Sequence, residues 1–354
     1  MVKIITKINE YTTGQKGPHP FFSFEFFPPK TEAGIENLYQ RIDRMTTLQP
    51  IFVDVTMGIG GTTKDTTIAI CQYIQTYFGI EALLHLTCTN MLVNDLKDIL
   101  NEAKKAGIHN ILVIRGDKQK DTDKWRPISG GLNHAIDLIK LIKQEHGDYF
   151  GIAIGGVFPE QLYTNITTSD GSHNATSNSI EYNEVQEYQY IKDKIDAGAD
   201  FILTNFFYDI NTFITYFNKC RLYGITCPII PGILPIQNYK SFKSLVSYAN
   251  ITIPTVIHET VENLKNDHDA LKKYGLSLAI NICKELIIIN KFDILGYHFY
   301  TLNLEYSVLF ILKVCSHAIL YILYMYSVCM CSICINMHKS HCIHVFNSQV
   351  NGQC

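Results

Sequence analysis

A single acid, Glu25, lies inside the run Phe24-Glu25-Phe26-Phe27-Pro28-Pro29-Lys30. A carboxyl group flanked by phenylalanines in a strand is expected to lose water, and desolvation favours its protonated form. An acid that keeps its proton near neutral pH is suited to general-acid catalysis. From sequence alone a structural alternative weighs as much: a buried glutamate neutralised by a lysine or arginine. A second acid, Asp117, follows Arg115-Gly116, where glycine lets the backbone approach a ligand closely and the arginine keeps the carboxylate ionised. Two acids in opposite protonation states would take separate roles in one reaction. An extracellular Arg-Gly-Asp adhesion motif is the minor alternative. His85, in Leu83-Leu84-His85-Leu86-Thr87, reads as a hydrogen-bonded core histidine or a site residue. No second His or Cys stands at ligand spacing beside it, so no metal site is expected. Met57-Gly58-Ile59-Gly60-Gly61 suits a phosphate or a tight turn and lacks the spacing of a P-loop.

These residues fall at the ends of short β-rich runs: Phe21–Phe27, Ile51–Met57, Ala82–Cys88, Asn110–Arg115, Gly151–Gly155, Asp200–Phe207, Pro228–Ile233 and Gly296–Leu302. Amphipathic segments lie between them. Thr31–Leu48 places Ile35, Leu38, Ile42 and Met45 near helical spacing, and Met91–Ala106 does the same with Leu92, Leu96, Ile99 and Leu100, with Asn90 as N-cap and Gly107 as stop. Eight strands, apolar on both faces and separated by helices, indicate a covered parallel sheet. The open doubly wound alternative would show a G-x-G-x-x-G after its first strand, which is absent. The expected fold is therefore α/β, a (β/α)8 TIM barrel with a divergent C-terminal tail, unstructured or helical. Such a barrel carries its chemistry at the C-terminal ends of the strands.

The chain has 354 residues, with 30 Lys+Arg against 33 Asp+Glu and a net charge of −3. That balance excludes the basic surplus of a nucleic-acid binder. Met1 to Gly17 has no apolar run of signal-peptide length, so secretion by that route is not expected. The five cysteines before residue 284 read as reduced core residues of a cytoplasmic protein.

Six words in order resemble one family, methylenetetrahydrofolate reductase. They are Phe24 to Lys30, His85-Leu86-Thr87-Cys88, Arg115-Gly116-Asp117, Asp196-Ala197-Gly198-Ala199, Pro231-Gly232-Ile233-Leu234-Pro235 and His298-Phe299-Tyr300-Thr301-Leu302-Asn303. The resemblance implies a barrel holding FAD. NAD(P)H reduces the flavin and leaves, and the flavin then passes hydride to 5,10-methylenetetrahydrofolate, giving 5-methyltetrahydrofolate. It implies Glu25 as general acid for opening the folate ring, and Asp117 as the charge near flavin and pterin. Cofactor contacts carry over to Thr56, Met57, His85, Arg115, Gly116, Asp117, Ala135, Glu187 and Lys194, and folate contacts to Asn205, Leu245 and Tyr300. The chain departs from the family at Asn205 (usually Gln), Ile154-Gly155 (Tyr-Pro), Phe158 (His) and Leu304 (Arg). A weakened or silent relative that binds folate or a partner without turnover is the alternative reading. A cytoplasmic homo-oligomer is expected.

The expected organisation is an N-terminal extension over 1–19, a catalytic barrel over 20–313 with a polar insertion at 161–180, and an atypical Cys-rich tail over 314–354. After Val314 the only charged residue is Lys339, and Ala318–Ile335 has none. Eighteen such residues reach the lower length of a membrane span. The alternatives are a metal knot of Cys329, Cys331, Cys334, His338 and His341, or a misassigned or spliced segment without a selected fold. The last is preferred, and no membrane role is expected unless the tail is a genuine anchor.

Overall fold

Eight short strands pair in parallel, each with the next in sequence and the last with the first, to close a barrel. They are β1 (Phe21–Phe26), β2 (Phe52–Val55), β3 (Glu81–Thr87), β4 (Asn110–Ile114), β5 (Gly151–Gly156), β6 (Phe201–Phe206), β7 (Ile229–Ile233) and β8 (Gly296–Tyr300). This computed structural model describes residues 1–13, 20–116, 127–159, 183–288 and 296–315. Asp117, the whole polar insertion at 161–180 and the tail from residue 316 lie outside the described residues. Among the described residues no helix is long and apolar enough to cross a membrane.

Side-chain alternation along each strand builds two cores. Outward residues such as Phe24, Phe26, Val53, Val55 and Phe299 pack under the helices. Inward residues Phe21, Phe52, Leu83, Leu112, Ala153, Phe201, Leu203 and Ile230 fill the lower half of the barrel. Helix Glu32–Thr46 buries Leu38, Ile42 and Met45, and Thr31 caps it by accepting from Gly34 N–H at 3.1 Å. Helix Val93–Lys105 starts two residues later than the sequence suggested. Asn90 is not its N-cap; it takes a left-handed turn (φ 58°), and Asp95 instead accepts from Leu92 N–H at 3.2 Å. The glycine-rich segment is a tight turn, with Gly60 and Gly61 at φ 66° and 73°.

The bottom of the barrel is closed by helix Ile4–Thr12, whose Ile4 and Ile8 are fully buried against the inner core. Asn110, buried at the start of β4, anchors this helix. Its Oδ1 accepts from Ile4 N–H at 2.7 Å and its Nδ2 donates to the Val2 carbonyl at 3.2 Å. Asn110→Ala leaves a buried amide unsatisfied, so denaturant melts should show a loss of about 1–3 kcal/mol. A loss under a few tenths would mean that this anchor contributes nothing.

Candidate active site at the barrel mouth

Strand parity determines what surrounds Glu25, and it corrects the argument from flanking phenylalanines. Phe24 and Phe26 point out to the helix layer, while Glu25 points into the barrel with Ser23. Its carboxylate is about one-fifth exposed and meets polar groups instead of rings. Register places Asp54 of β2 beside it on one side and Tyr300 of β8 on the other. The Glu25 backbone is pinned from the far end of the sequence, because Thr301 Oγ1 donates to the Glu25 carbonyl at 2.5 Å. Asn303 grips the next residues, accepting from Phe27 N–H at 3.0 Å and donating to the Phe27 carbonyl at 2.8 Å. Leu302 and Asn303 both adopt positive φ to make this clamp, and the Arg41 guanidinium donates to the Asn303 carbonyl.

Beneath Glu25 lies a buried polar cluster that sequence reasoning missed in part. Asp54 and His298 are fully buried, and Ser23 Oγ is 2.9 Å from His298 Nδ1. His298 Nε2 stands 3.7 Å from Asp54 Oδ2 and 4.0 Å from Glu25 Oε2. The other Asp54 oxygen lies 2.5 Å from His85 Nε2. His85 is thus neither an isolated core histidine nor a free ligand. Burial works against its imidazolium, but the Asp54 charge and hydrogen bond, with Glu25 behind them, prevail and raise its pKa above the usual value.

Tyr300 stands edge-on to His298, 4.9 Å between ring centroids, and donates its hydroxyl to the Thr204 carbonyl at 2.8 Å. Burial first, then Glu25 and Asp54, push its pKa well above the usual tyrosine value, so it stays neutral. Its ring shares an apolar patch with Leu245, Phe206 and Leu302. Asn205 points inward from β6, yet its Oδ1 accepts from the Phe206 N–H at 3.0 Å. The amide NH2 and the second lone pair of Oδ1 remain for a ligand.

On the opposite side of the mouth a second group gathers. Lys194 Nζ sits 4.7 Å over the Tyr190 ring. Its pKa is depressed to about 8 by burial, with Glu187 acting against this and Arg115 adding to it. Gly116 takes φ 86°, and a Cβ there would stand 2.6 Å from Thr89 Oγ1 and 2.9 Å from Thr87 Cβ. Ala135 is buried at the start of helix Ala135–His146. Thr56 is tied at the end of β2, where Thr67 Oγ1 donates to its carbonyl at 3.0 Å. Met57 packs into the outer core.

The departures from the family words fall on both sides of the strands. Ile154 and Phe158 are buried in the outer core, Phe158 edge-on to Phe207 and Tyr216. Leu304 is exposed beyond the β8 clamp.

Comparisons with known proteins match this chain to one family. A family profile described as Methylenetetrahydrofolate reductase matches residues 10–316. The chain is 42% identical over 312 residues to a protein of Oryza sativa subsp. japonica named "Probable methylenetetrahydrofolate reductase (NADH)", covering 88% of this chain and 50% of that one. It is 33% identical over 281 residues to a "5,10-methylenetetrahydrofolate reductase" of Pectobacterium carotovorum subsp. carotovorum, covering 79% of this chain and 85% of the bacterial protein. The chain therefore spans about half the length of the plant relative and most of the bacterial one. A solved structure of a Clostridium thermocellum protein, described as binding two copies of 5-methyl-5,6,7,8-tetrahydrofolic acid, superposes with a TM-score of 0.59. It covers 89% of this chain and 98% of that one at 17% identity, a likeness of fold alone.

Proposed function

The chain belongs to the methylenetetrahydrofolate reductase family, and from that premise we propose that it reduces 5,10-methylenetetrahydrofolate to 5-methyltetrahydrofolate with NAD(P)H in a ping-pong cycle dependent on FAD. The observation that carries this reading is Glu25 facing into the barrel mouth, its backbone fixed there by the Thr301 and Asn303 clamp. FAD, when bound, supplies a hydride carrier between the nicotinamide and the folate.

The residues opposite Glu25 suit that cofactor. Among the described residues the buried Thr87 hydroxyl has no hydrogen-bond partner, Gly116 offers a backbone surface that no Cβ could share, and Lys194 with Arg115 forms a cationic region suited to an anionic group. Arg115, Lys194 and the Gly116 backbone would hold the phosphates. Thr56, Met57, His85, Ala135 and Glu187 are assigned to the same side, and Asp117 is assigned there from the family word.

Glu25 gives its proton to the folate ring nitrogen, so that the five-membered ring opens and its methylene carbon becomes an acceptor of hydride. Tyr300 and Leu245 form the apolar wall for the folate, and the Asn205 NH2 donates to the pterin edge. The neutral Tyr300 hydroxyl keeps its bond to the β6 backbone and takes no proton. The Clostridium protein of similar fold is described as binding the methylated product of this reaction.

The test is product formation. Purified chain incubated with FAD, NADH or NADPH and 5,10-methylenetetrahydrofolate should accumulate 5-methyltetrahydrofolate by mass spectrometry. Folate binding without product would favour the silent relative.

Lys194 gives a second expectation. An anion needs the charged amine, so as pH rises through about 8 the free protein loses that charge and FAD affinity falls. Fluorescence titrations at pH 7 and 9 should differ by about tenfold, the ratio expected from one pH unit above the midpoint. In Lys194→Met the two affinities should be equal. A wild-type affinity unchanged with pH would remove Lys194 from the phosphate site.

A further inference from the structure

We propose that Asp54 and His298 form, with Glu25, a buried proton store that reloads the acid after each turnover. This rests on the reading of Glu25 as the acid.

The geometry leaves a proton nowhere else to go. The facing polar atoms of Glu25, Asp54 and His298 all lie within 4.8 Å of one another, and Asp54 and His298 are completely buried. Asp54 Oδ1 is taken up by His85, and among the described residues neither Asp54 Oδ2 nor His298 Nε2 has a hydrogen-bond partner. The Ser23–His298 contact can run in two directions. If Ser23 Oγ donates to Nδ1, the ring proton sits on Nε2 and faces the two carboxyl groups. If Nδ1 donates to Ser23, a bare Nε2 lone pair would face two acids, which repels unless one acid or Nε2 carries a proton. Either way at least one proton occupies the space between these three side chains. The separations of 3.7 and 4.0 Å are about 1 Å longer than a charge-assisted hydrogen bond, so small side-chain movements make or break each link.

The other titratable groups facing the cluster do not compete for that proton. Tyr300 from β8 stays protonated, and so does Cys71, whose thiol burial and then Asp54 hold far above its usual range from helix Lys64–Phe78. On β3, burial opposes the His85 imidazolium but the Asp54 charge and hydrogen bond favour it, and Asp54 Oδ1 faces His85 Nε2 at 2.5 Å while Oδ2 faces His298.

In each turnover Glu25 loses its O–H bond as an N–H bond forms on the folate nitrogen and the ring C–N bond breaks. His298, as the imidazolium with Nδ1–H donated to Ser23 Oγ, then passes its Nε2 proton to the Glu25 carboxylate and becomes neutral, and a proton from solvent restores it after product leaves. One proton is taken from solvent for each hydride delivered. Asp54 and His298 touch no substrate in this scheme; they are positioning residues.

The experiment separates the two half-reactions of the FAD-loaded chain in stopped flow across pH. In Asp54→Asn the fixed anion that retains the proton is gone, so folate reduction should fail at lower pH, its alkaline limb moving down by about one pH unit. In His298→Asn the same half-reaction should slow tenfold or more, with flavin reduction by NADH reporting that the site is intact. A readout independent of turnover is the imidazole nitrogen NMR signal of His298 in the flavin-free chain, identified by its loss in His298→Asn. Its titration midpoint should also fall in Asp54→Asn. Ser23→Ala, which removes one hydroxyl, should shift the same limb by a smaller step and serves if Asp54→Asn does not fold. An alkaline limb and a His298 signal that both stay in place overturn the store. If Glu25→Gln reduced folate normally, the acid assignment itself would fall; an inactive Glu25→Gln with an unmoved limb in Asp54→Asn removes the store alone.

Discussion

Glu25→Gln should reduce the folate half-reaction by about 10²–10⁴-fold, the range expected when a positioned general acid is lost. NADH should still bleach the flavin at close to the wild-type rate. Glutamine keeps the volume and polarity of the side chain but cannot deliver a proton. The backbone around it is held independently of the carboxyl, by the Thr301 hydroxyl on the Glu25 carbonyl and the Asn303 amide on Phe27. The substitution is therefore expected to remove chemistry without removing structure. Equal loss in both half-reactions would mean that Glu25 orients ligands and does not donate a proton.

The largest effect on stability should come from the opposite end of the barrel. Ile4 and Ile8 are fully buried against Phe21, Phe52, Leu83, Leu112 and Phe201. Each truncation to alanine removes buried methyl groups and leaves a cavity, at a cost of about 2–5 kcal/mol. Ile4→Ala/Ile8→Ala together should then cost about 4–10 kcal/mol, comparable with the whole stability of a typical domain at about 5–15 kcal/mol. Circular dichroism should show a largely unfolded protein, or a melt lowered by many degrees. Ile8→Val, which deletes one methylene, should cost only about 0.5–1.5 kcal/mol. A double variant that melts with the wild type would show that the helix is a dispensable cover.

The strands were legible to within a residue or two because each is a short apolar run closed by polar or glycine-rich words. Ile229–Ile233 and Gly151–Gly156, for example, have few residues that could sit anywhere but inside. Glu25 was legible as a candidate, though the reason given for it, its flanking phenylalanines, is not what surrounds it. Its sequence neighbours Phe24 and Phe26 belong to the other face of β1, and its true neighbours Asp54 and Tyr300 come from strands far along the chain. Counting strand parity could have found the rest: Ser23 shares the face of Glu25, and His298 shares that of Tyr300. Asp54 was hidden inside Phe52-Val53-Asp54-Val55, where a lone acid in an apolar strand is the one signal available. The i, i+4 spacing of Ile4 and Ile8 was also readable. What those residues cover was not, because that surface is assembled from strands running from Phe21 to Ile230. The glycines after β2 were ambiguous between phosphate loop and turn until Gly60 proved to pack against Asn90.

Hydride leaving NADH should reach folate through a flavin held in this barrel, with the proton coming from Glu25. Anaerobic protein loaded with FAD and bleached by one equivalent of NADH provides the test, on addition of 5,10-methylenetetrahydrofolate. The oxidised flavin absorbance should return within turnover times, together with one equivalent of 5-methyltetrahydrofolate, while Glu25→Gln should stay bleached. A wild-type protein that remains bleached in the presence of the folate, or that regains colour without forming the methylated product, would contradict this route.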